Sequence, residues 1–506
     1  MFPFMIVGAA AVCGIVLTPM ARELARMLNI VDRPDGRRKL HAEPTPLGGG
    51  MAIFAAMALT AVVAMALSPE VRALIARESR FLWGLLAAGI AIVTVGLLDD
   101  RLQLRGRQKL LGQVMAAALL ASSGLYVRRI VLFDFPIDLG VMAVPFTIFW
   151  IVGAINALNL IDGMDGLAGS VGVVLSLAIA VMAWMTGHAA DALVALTLAG
   201  AIGGFLLYNL PPASVFLGDS GSMLIGLVLG ALAIHSSIKG AATVALAAPT
   251  VIWAIPILDV SMAIVRRKLT GRSIYETDRG HLHHCLQRSG HSGPRTVLLV
   301  AALCTATCIG ALIGVAQNSE WLALLTVLVV VAVLVVCRVF GTAEFLLMWT
   351  RAKSITRSMM KLPRQDESTP RLPERARLTG TRDWDDLWET LTVYAERFDL
   401  SMVQLNVNLP ALNEEYHVHW HRRRGGPEHL EWTTDIPLLA GDVTVGRLRI
   451  RGQPSEGSVC TWIGELVSGL RPFEAQMVSL VLEQFEDSTR LETAAVPLVA
   501  NPEAAV

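Results

Sequence analysis

Five groups of residues in this 506-residue chain have types and spacings suited to chemistry on a charged substrate. Asp99, Asp100 and Arg101 stand at the end of an apolar run. Two adjacent carboxylates repel unless a proton or a cation lies between them, so the pair points to a divalent metal or a proton-transfer role. Between two further apolar runs lies Asn156-Ala-Leu-Asn159-Leu-Ile-Asp162-Gly-Met-Asp165-Gly166, a stretch without a single basic residue. It could be a turn with helix-capping aspartates. The density of hard oxygen donors, with Asn156 and Asn159 on a helix face leading to Asp162, suits a divalent cation instead. A third group, Phe216 to Ser222, places Asp219 among Gly218, Ser220 and Gly221 at the start of another apolar run. A helix opening there would leave backbone N–H groups free for a phosphate, with Asp219 beside the metal that the phosphate also binds. The fourth, Arg279-Gly-His281-Leu-His283-His284, reads as an anion-binding loop whose arginine and histidines donate to a diphosphate. Zinc is disfavoured because the histidines are crowded and no second Cys/His pair is evident. The fifth, Arg38, Lys39 and His41 before Gly48-Gly49-Gly50, is a basic entry into an apolar run, a pattern that membrane topology alone also produces.

These groups must be positioned by elements built for lipid. The chain is 54% hydrophobic and 17% charged, below the roughly 25% charged of soluble domains. Its 42 basic and 42 acidic residues cancel, so no bulk basicity points to nucleic acid. Eleven segments approach the length of about 20 apolar residues that a bilayer crossing needs, among them Phe2 to Met20, read as a retained first helix, and Ala241 to Val265, the ninth. The connections on one side carry seventeen Lys and Arg residues and those on the other six, which makes the first side cytoplasmic and puts the N-terminus outside. All five groups fall on the cytoplasmic side. The expected fold is therefore an all-α polytopic membrane protein of about 11 transmembrane helices, spanning 1–349. A charged, Pro-containing linker (350–380) follows, then a small α+β cytoplasmic domain (381–490) and a disordered tail (491–506). In that domain Trp384, Leu387, Trp388 and Leu391 have helical spacing, whereas Val403, Leu405, Val407 and Leu409 alternate as in a half-buried strand.

The combination of RKLH and PTPLGG (Arg38 to Gly49), DDR (Asp99 to Arg101), NALNLIDGMDGLA (Asn156 to Ala168), FLGDSGS (Phe216 to Ser222) and HLHH (His281 to His284) resembles the polyprenyl-phosphate N-acetylhexosamine-1-phosphate transferase family. The resemblance runs from about Met1 to Phe340. It implies transfer of a sugar 1-phosphate from a UDP-sugar to a polyprenyl phosphate such as undecaprenyl phosphate, with release of UMP, at the inner membrane. It further implies Mg²⁺, with Mn²⁺ as a substitute, on Asn159 and Asp219. Asp99 and Asp100 match the catalytic pair, and Asp162, Asp165 and His281 match the nucleotide-sugar and diphosphate region. Lys39, His41, Asn156, Arg279, His283 and His284 fall among the substrate contacts. The His-x-His-His spacing is similar to the branch that uses UDP-GlcNAc, whereas the UDP-MurNAc-pentapeptide branch carries three adjacent histidines. A homodimer and an envelope-synthesis partner for the C-terminal domain are both compatible with the chain. An ion-coupled transporter is the rival of another class, since intramembrane acids also mark ion paths. Its ionisable groups would lie near the midplane, and these gather at one face.

Overall fold

The computed structural model describes residues 2–33, 44–132, 135–237, 243–269, 280–337, 340, 374–379, 383–398, 400–409, 414–422, 432–440, 443–452 and most of 464–481. They form two compact units, one of residues 2–267 with 280–340 and one of residues 374–481.

The first unit is mostly helical, with five short strands at its loops: β1 (Val31–Asp32), β2 (Thr45–Pro46), β3 (Arg129–Leu132), β4 (Phe135–Asp138) and β5 (Thr243–Ala245). In order it contains α1 (Phe2–Met27), α2 (Gly49–Leu67), α3 (Pro69–Arg77), α4 (Ser79–Leu102), α5 (Gly106–Ser122), α6 (Ala143–Ile161), α7 (Leu167–Met185), α8 (Ala189–Asn209), α9 (Gly218–His235), α10 (Ala247–Ile252), α11 (Ala254–Leu269), α12 (Leu282–Arg288), α13 (Gly293–Ala316) and α14 (Glu320–Val336). Helices are the natural outcome for such apolar runs, because in lipid each backbone N–H and C=O must find its partner within the segment. Large apolar side chains such as Phe4, Val16, Val62, Trp83, Ile90 and Phe149 face outward, as a lipid-facing surface requires. Among the described residues eight helices are long and apolar enough to cross a bilayer, making this a multi-pass membrane protein. The expected ninth span is not one helix. A short strand (Thr243–Ala245) precedes α10, and the chain breaks at Trp253 before α11. Pro256 has no N–H to give the carbonyl of Ile252, so an unbroken helix would lose a bond there. The remaining two, α5 and α14, have 17 residues each.

α9 lies at the centre of the bundle, with every side of it covered: Ser220 to Ile234 are all buried. An all-round apolar helix of small residues can only be satisfied inside others. It packs against α4 at Gly96, where a Cβ would stand 2.2 Å from the Cα of Ser220. The two backbones therefore touch there, one turn before Asp99 and Asp100 and beside Asp219.

The second unit is a five-stranded antiparallel sheet of order β6-β8-β7-β10-β9, where β6 is Glu374–Thr379, β7 Leu400–Leu409, β8 Glu414–His421, β9 Trp432–Ala440 and β10 Val443–Gly452. Val403, Leu405 and Val407 are buried on one sheet face, as their alternation predicts. Helix α15 (Asp383–Arg397) contributes Trp384, Leu387, Trp388 and Leu391 to the same core, and Leu466, Leu470, Phe473, Met477 and Val481 complete it at helical spacing. The sheet begins earlier than the domain expected from Thr381 onward. β6 falls within the stretch read as linker, because an edge strand carrying charge, here Glu374, Arg375 and Arg377, lacks the apolar alternation that marks a strand in sequence.

Candidate active site

The close approach of α4 and α9 builds the site. Asp100, in the last turn of α4, accepts hydrogen bonds from the backbone N–H groups of Asp219 (2.8 Å) and Ser220 (3.2 Å) at the start of α9. Gly218, at φ +72°, makes this possible, since a Cβ would lie 2.8 Å from Asp100 Oδ2. A carboxylate on a helix N-terminus is favoured by both the orphan N–H groups and the dipole. This corrects the expectation that these N–H groups await a phosphate: the anion they hold comes from the protein.

Asp99 is buried and accepts from the backbone N–H of Leu104 (2.8 Å). Its other oxygen lies 2.9 Å from Lys109 Nζ, and the same ammonium lies 2.9 Å from Asp219 Oδ2. Lys109, near the start of α5, thus bridges two carboxylates from different helices. On the far side of Asp219, Asn159 of α6 donates its amide to Asp219 Oδ1 and to Ser222 Oγ (2.9 Å). Asn156, one turn earlier, is turned elsewhere: it pairs with Gln113 of α5 (2.7 Å) and with the carbonyl of Val152.

Asp162 and Asp165 occupy the turn between α6 and α7. Although Asp162 keeps part of its surface exposed, its carboxyl is pushed well above the usual range, first by loss of hydration and then by the anions Asp219, Asp100 and Asp165. Asp165 accepts from the backbone N–H of Ala213 (3.1 Å), and Gly166 donates to Asn209 (3.1 Å), so the turn is tied to the end of α8. The histidines arrive from α12. His283 is 3% exposed, and its Nε2 stands 2.6 Å from where a Cβ on Gly163 would be. Burial pushes its imidazole down to about 2, with His284 and His281 adding to the effect. The three rings follow one another, His281 to His283 at 6.0 Å and His283 to His284 at 4.2 Å between centroids. His281 Nδ1 lies 2.8 Å from Asp259 Oδ2 of α11. Lys39, His41 and Arg279 lie outside the described residues.

Residues 82–237, which hold all of these carboxylates but Asp259, match glycosyl transferase family 4. A probable undecaprenyl-phosphate N-acetylglucosaminyl 1-phosphate transferase of Bacillus subtilis is 32% identical over 322 residues, covering 63% of this chain and 86% of that protein. The chain belongs to this family. A decaprenyl-phosphate N-acetylglucosaminephosphotransferase of Mycolicibacterium smegmatis is 34% identical over 315 residues, covering 58% of this chain and 77% of that protein. A phospho-N-acetylmuramoyl-pentapeptide-transferase of Clostridium beijerinckii is 31% identical over 317 residues, covering 59% of this chain and 90% of that protein. As a family 4 glycosyl transferase the protein is an enzyme, which sets aside the transporter.

The family 4 site fits a divalent cation by the chemistry of its donors. Among the described residues no three His, Cys, Asp or Glu side chains form a metal cluster. Mg²⁺-type ions on phosphate substrates commonly use one or two carboxylates and take their remaining ligands from phosphate and water. Asp99 and Asp219 already flank one cationic atom, the Lys109 ammonium, and turning the Asn159 amide over would add an oxygen. Two residues of this constellation escape motif reading. Lys109 resembles any basic residue at a cytoplasmic helix end, and its distance from Asp219 in sequence hides the contact. Asp259 does leave a signal, an acid inside an apolar run, where a buried charge demands a partner.

Proposed function

We propose that this enzyme transfers N-acetylglucosamine 1-phosphate from UDP-GlcNAc to a polyprenyl phosphate, releasing UMP and so initiating a cell-envelope polysaccharide. The observation that carries the proposal is the convergence of Asp99, Asp219 and Lys109 at the ends of three helices, with Asn159 beside them. A phosphate monoester attacking a diphosphate brings like charges together, so positive charge must be held in place before the substrates meet. Mg²⁺, replaceable by Mn²⁺, would be held by Asp219 and Asn159, and it supplies neutralisation of the diphosphate oxygens.

The chain's own residues divide the remaining work. Asp99 is the better of the pair to receive or orient the proton of the lipid phosphate, because a backbone N–H holds only its Oδ1, and its other partners, Lys109 and Asp219, are side chains that can move. Both oxygens of Asp100 are held by backbone N–H groups, so Asp100 fixes α9 and with it Asp219. Lys109 offers its ammonium to the transferred phosphate. Asp162, a neutral acid over a wider pH range than usual, can donate a hydrogen bond to the nucleotide sugar, with Asp165 holding its turn. In this reading His281 and His284, with Arg279, Lys39 and His41, serve as donors to the diphosphate. His283, neutral and buried, supports the Asp162 turn. Asn156 acts through Gln113 as a support for α6.

In the arrangement we favour, eleven segments cross the inner membrane with the N-terminus outside, so that the site and the α+β domain face the cytoplasm. The C-terminal domain would recruit an envelope-synthesis partner or join two copies. Deleting everything after Lys361 and finding activity and assembly unchanged removes that role. The central test incubates purified protein with polyprenyl phosphate, Mg²⁺ and either UDP-GlcNAc or UDP-MurNAc-pentapeptide, and measures UMP. Release with UDP-GlcNAc alone is expected. Release with the pentapeptide substrate alone would transfer the assignment to the branch of the Clostridium relative, and no release from either would defeat it.

A further inference from the structure

Helix α11 grips the start of the segment that delivers the histidines. Asp259 of α11 is 2% exposed, and both of its oxygens are engaged. Oδ2 meets His281 Nδ1 at 2.8 Å, and Oδ1 accepts the backbone N–H of Leu282 at 2.7 Å, the first residue of α12. Seven residues along α11, two turns further and so on the same face, Arg266 donates through Nη2 to the carbonyl of Gly280 at 2.9 Å. The chain is thus gripped on both sides of His281 and by its ring. Among the described residues the ring has no other hydrogen bond.

A carboxylate acceptor beside Nδ1 has a definite chemical effect. It keeps the proton on Nδ1, which leaves Nε2 as the atom that meets anything outside, and it stabilises the positive charge the ring acquires when Nε2 is protonated. The second oxygen, on a backbone N–H, prevents the carboxylate from turning away. Resting on the transferase function given above, we propose that Asp259 is a positioning residue: it selects the tautomer and orientation of His281, so that Nε2 serves the diphosphate, and it does so through His281 alone. Asp259 touches no substrate. Its effect must therefore fall on turnover and vanish when His281 is gone.

The test uses the full-length protein in detergent with four variants: Asp259→Asn, Asp259→Glu, His281→Asn, and the double variant Asp259→Asn/His281→Asn. Asparagine preserves shape and can accept from Leu282, yet presents an N–H to Nδ1 and so favours the wrong tautomer. We expect Asp259→Asn to lower kcat about 10²- to 10⁴-fold, the usual range for a misplaced acid–base group, with KM for UDP-GlcNAc within about 3-fold. Asp259→Glu, which keeps the carboxylate, should retain activity within about 10-fold of wild type. The double variant should match His281→Asn within about 2-fold, because two residues that act as one unit do not add. Losses that multiply in the double variant overturn the proposal, as does an Asp259→Asn protein that turns over normally. If asparagine prevents folding, the glutamate variant decides: a folded Asp259→Glu protein as slow as His281→Asn also overturns it. Wild-type protein that releases no UMP from either UDP-sugar refutes the underlying function, and is told apart from these outcomes because they all require an active wild type.

Discussion

Replacing Lys109 by methionine keeps most of the side-chain volume and removes the one cation that, among the described residues, joins Asp99 to Asp219. The two 2.9 Å contacts put the carboxylate oxygens no more than about 5.8 Å apart. Two unit charges at that separation repel by about 3 kcal/mol at an effective dielectric constant of about 20. In wild type the ammonium offsets this, and in the variant a proton or a metal ion must. An energy of about 3 kcal/mol corresponds to about a 100-fold change in an equilibrium constant, so affinity for Mn²⁺ should rise by up to about that factor. Turnover should move the other way. Losing a fixed positive group at a developing phosphoryl charge costs about 10²- to 10³-fold in kcat. Mn²⁺ binding is read by calorimetry or electron paramagnetic resonance, and turnover by UMP release. Lys109→Arg should recover part of the activity and leave Mn²⁺ affinity near wild type. If Lys109→Met changes neither quantity, the bridge is a structural ion pair and the assigned chemistry of Lys109 is wrong.

Further outcomes follow from single contacts. Gly218→Ala should cost about 1–2 kcal/mol from the left-handed backbone alone and displace Asp100 from the α9 N-terminus. Both the melting temperature and UMP release should fall, and if neither moves, the Asp100 clamp does not matter. His283 is neutral when folded down to a pH of about 2 but titrates near 6.5 when exposed, so the unfolded chain binds the extra proton and the folded protein loses stability as pH falls below about 6.5. The slope from this group is up to about 1.4 kcal/mol per pH unit. A His283→Gln protein lacks that contribution, so its stability gap to wild type should narrow from pH 7.5 to 5.5 in thermal denaturation. A constant gap would show that the ring is not held neutral.

Much of the site is legible because its carboxylates stand at the ends of apolar runs, those of Asp162, Asp165 and Asp219 beside glycines. Asp99, Asp100, Asn159 and Asp219 could be picked from residue type and helix position, and the fold brings them together. The roles within the group were less legible. Whether the N–H groups opening α9 face a phosphate or Asp100 depends on how closely α4 approaches, and that distance is set by Gly96, which in sequence is one glycine among 43. Lys109 and Asp259 do not stand out in the sequence for a related reason: each acts across a contact between elements distant in the chain. The break in the ninth span follows from Pro256, and hydropathy averaged over a window passes over it. In the second unit the alternation of β7 announces a strand, whereas the charged edge strand β6 is defined only by its partner β8.

Gly96 has one more consequence. Because α4 and α9 meet with no side chain between them, the backbones that carry Asp99 and Asp219 are held at contact distance. A cation beside Asp219, as proposed above, would have only the room that this contact leaves. Mg²⁺ binds oxygen at about 2.0–2.1 Å and Ca²⁺ at about 2.3–2.6 Å, a difference of a few tenths of an ångström. A Cβ at Gly96 would stand 2.2 Å from the Cα of Ser220, so Gly96→Ala must part the helices by more than that difference, and a shift in the Mg²⁺ against Ca²⁺ preference of UMP release is the expected result.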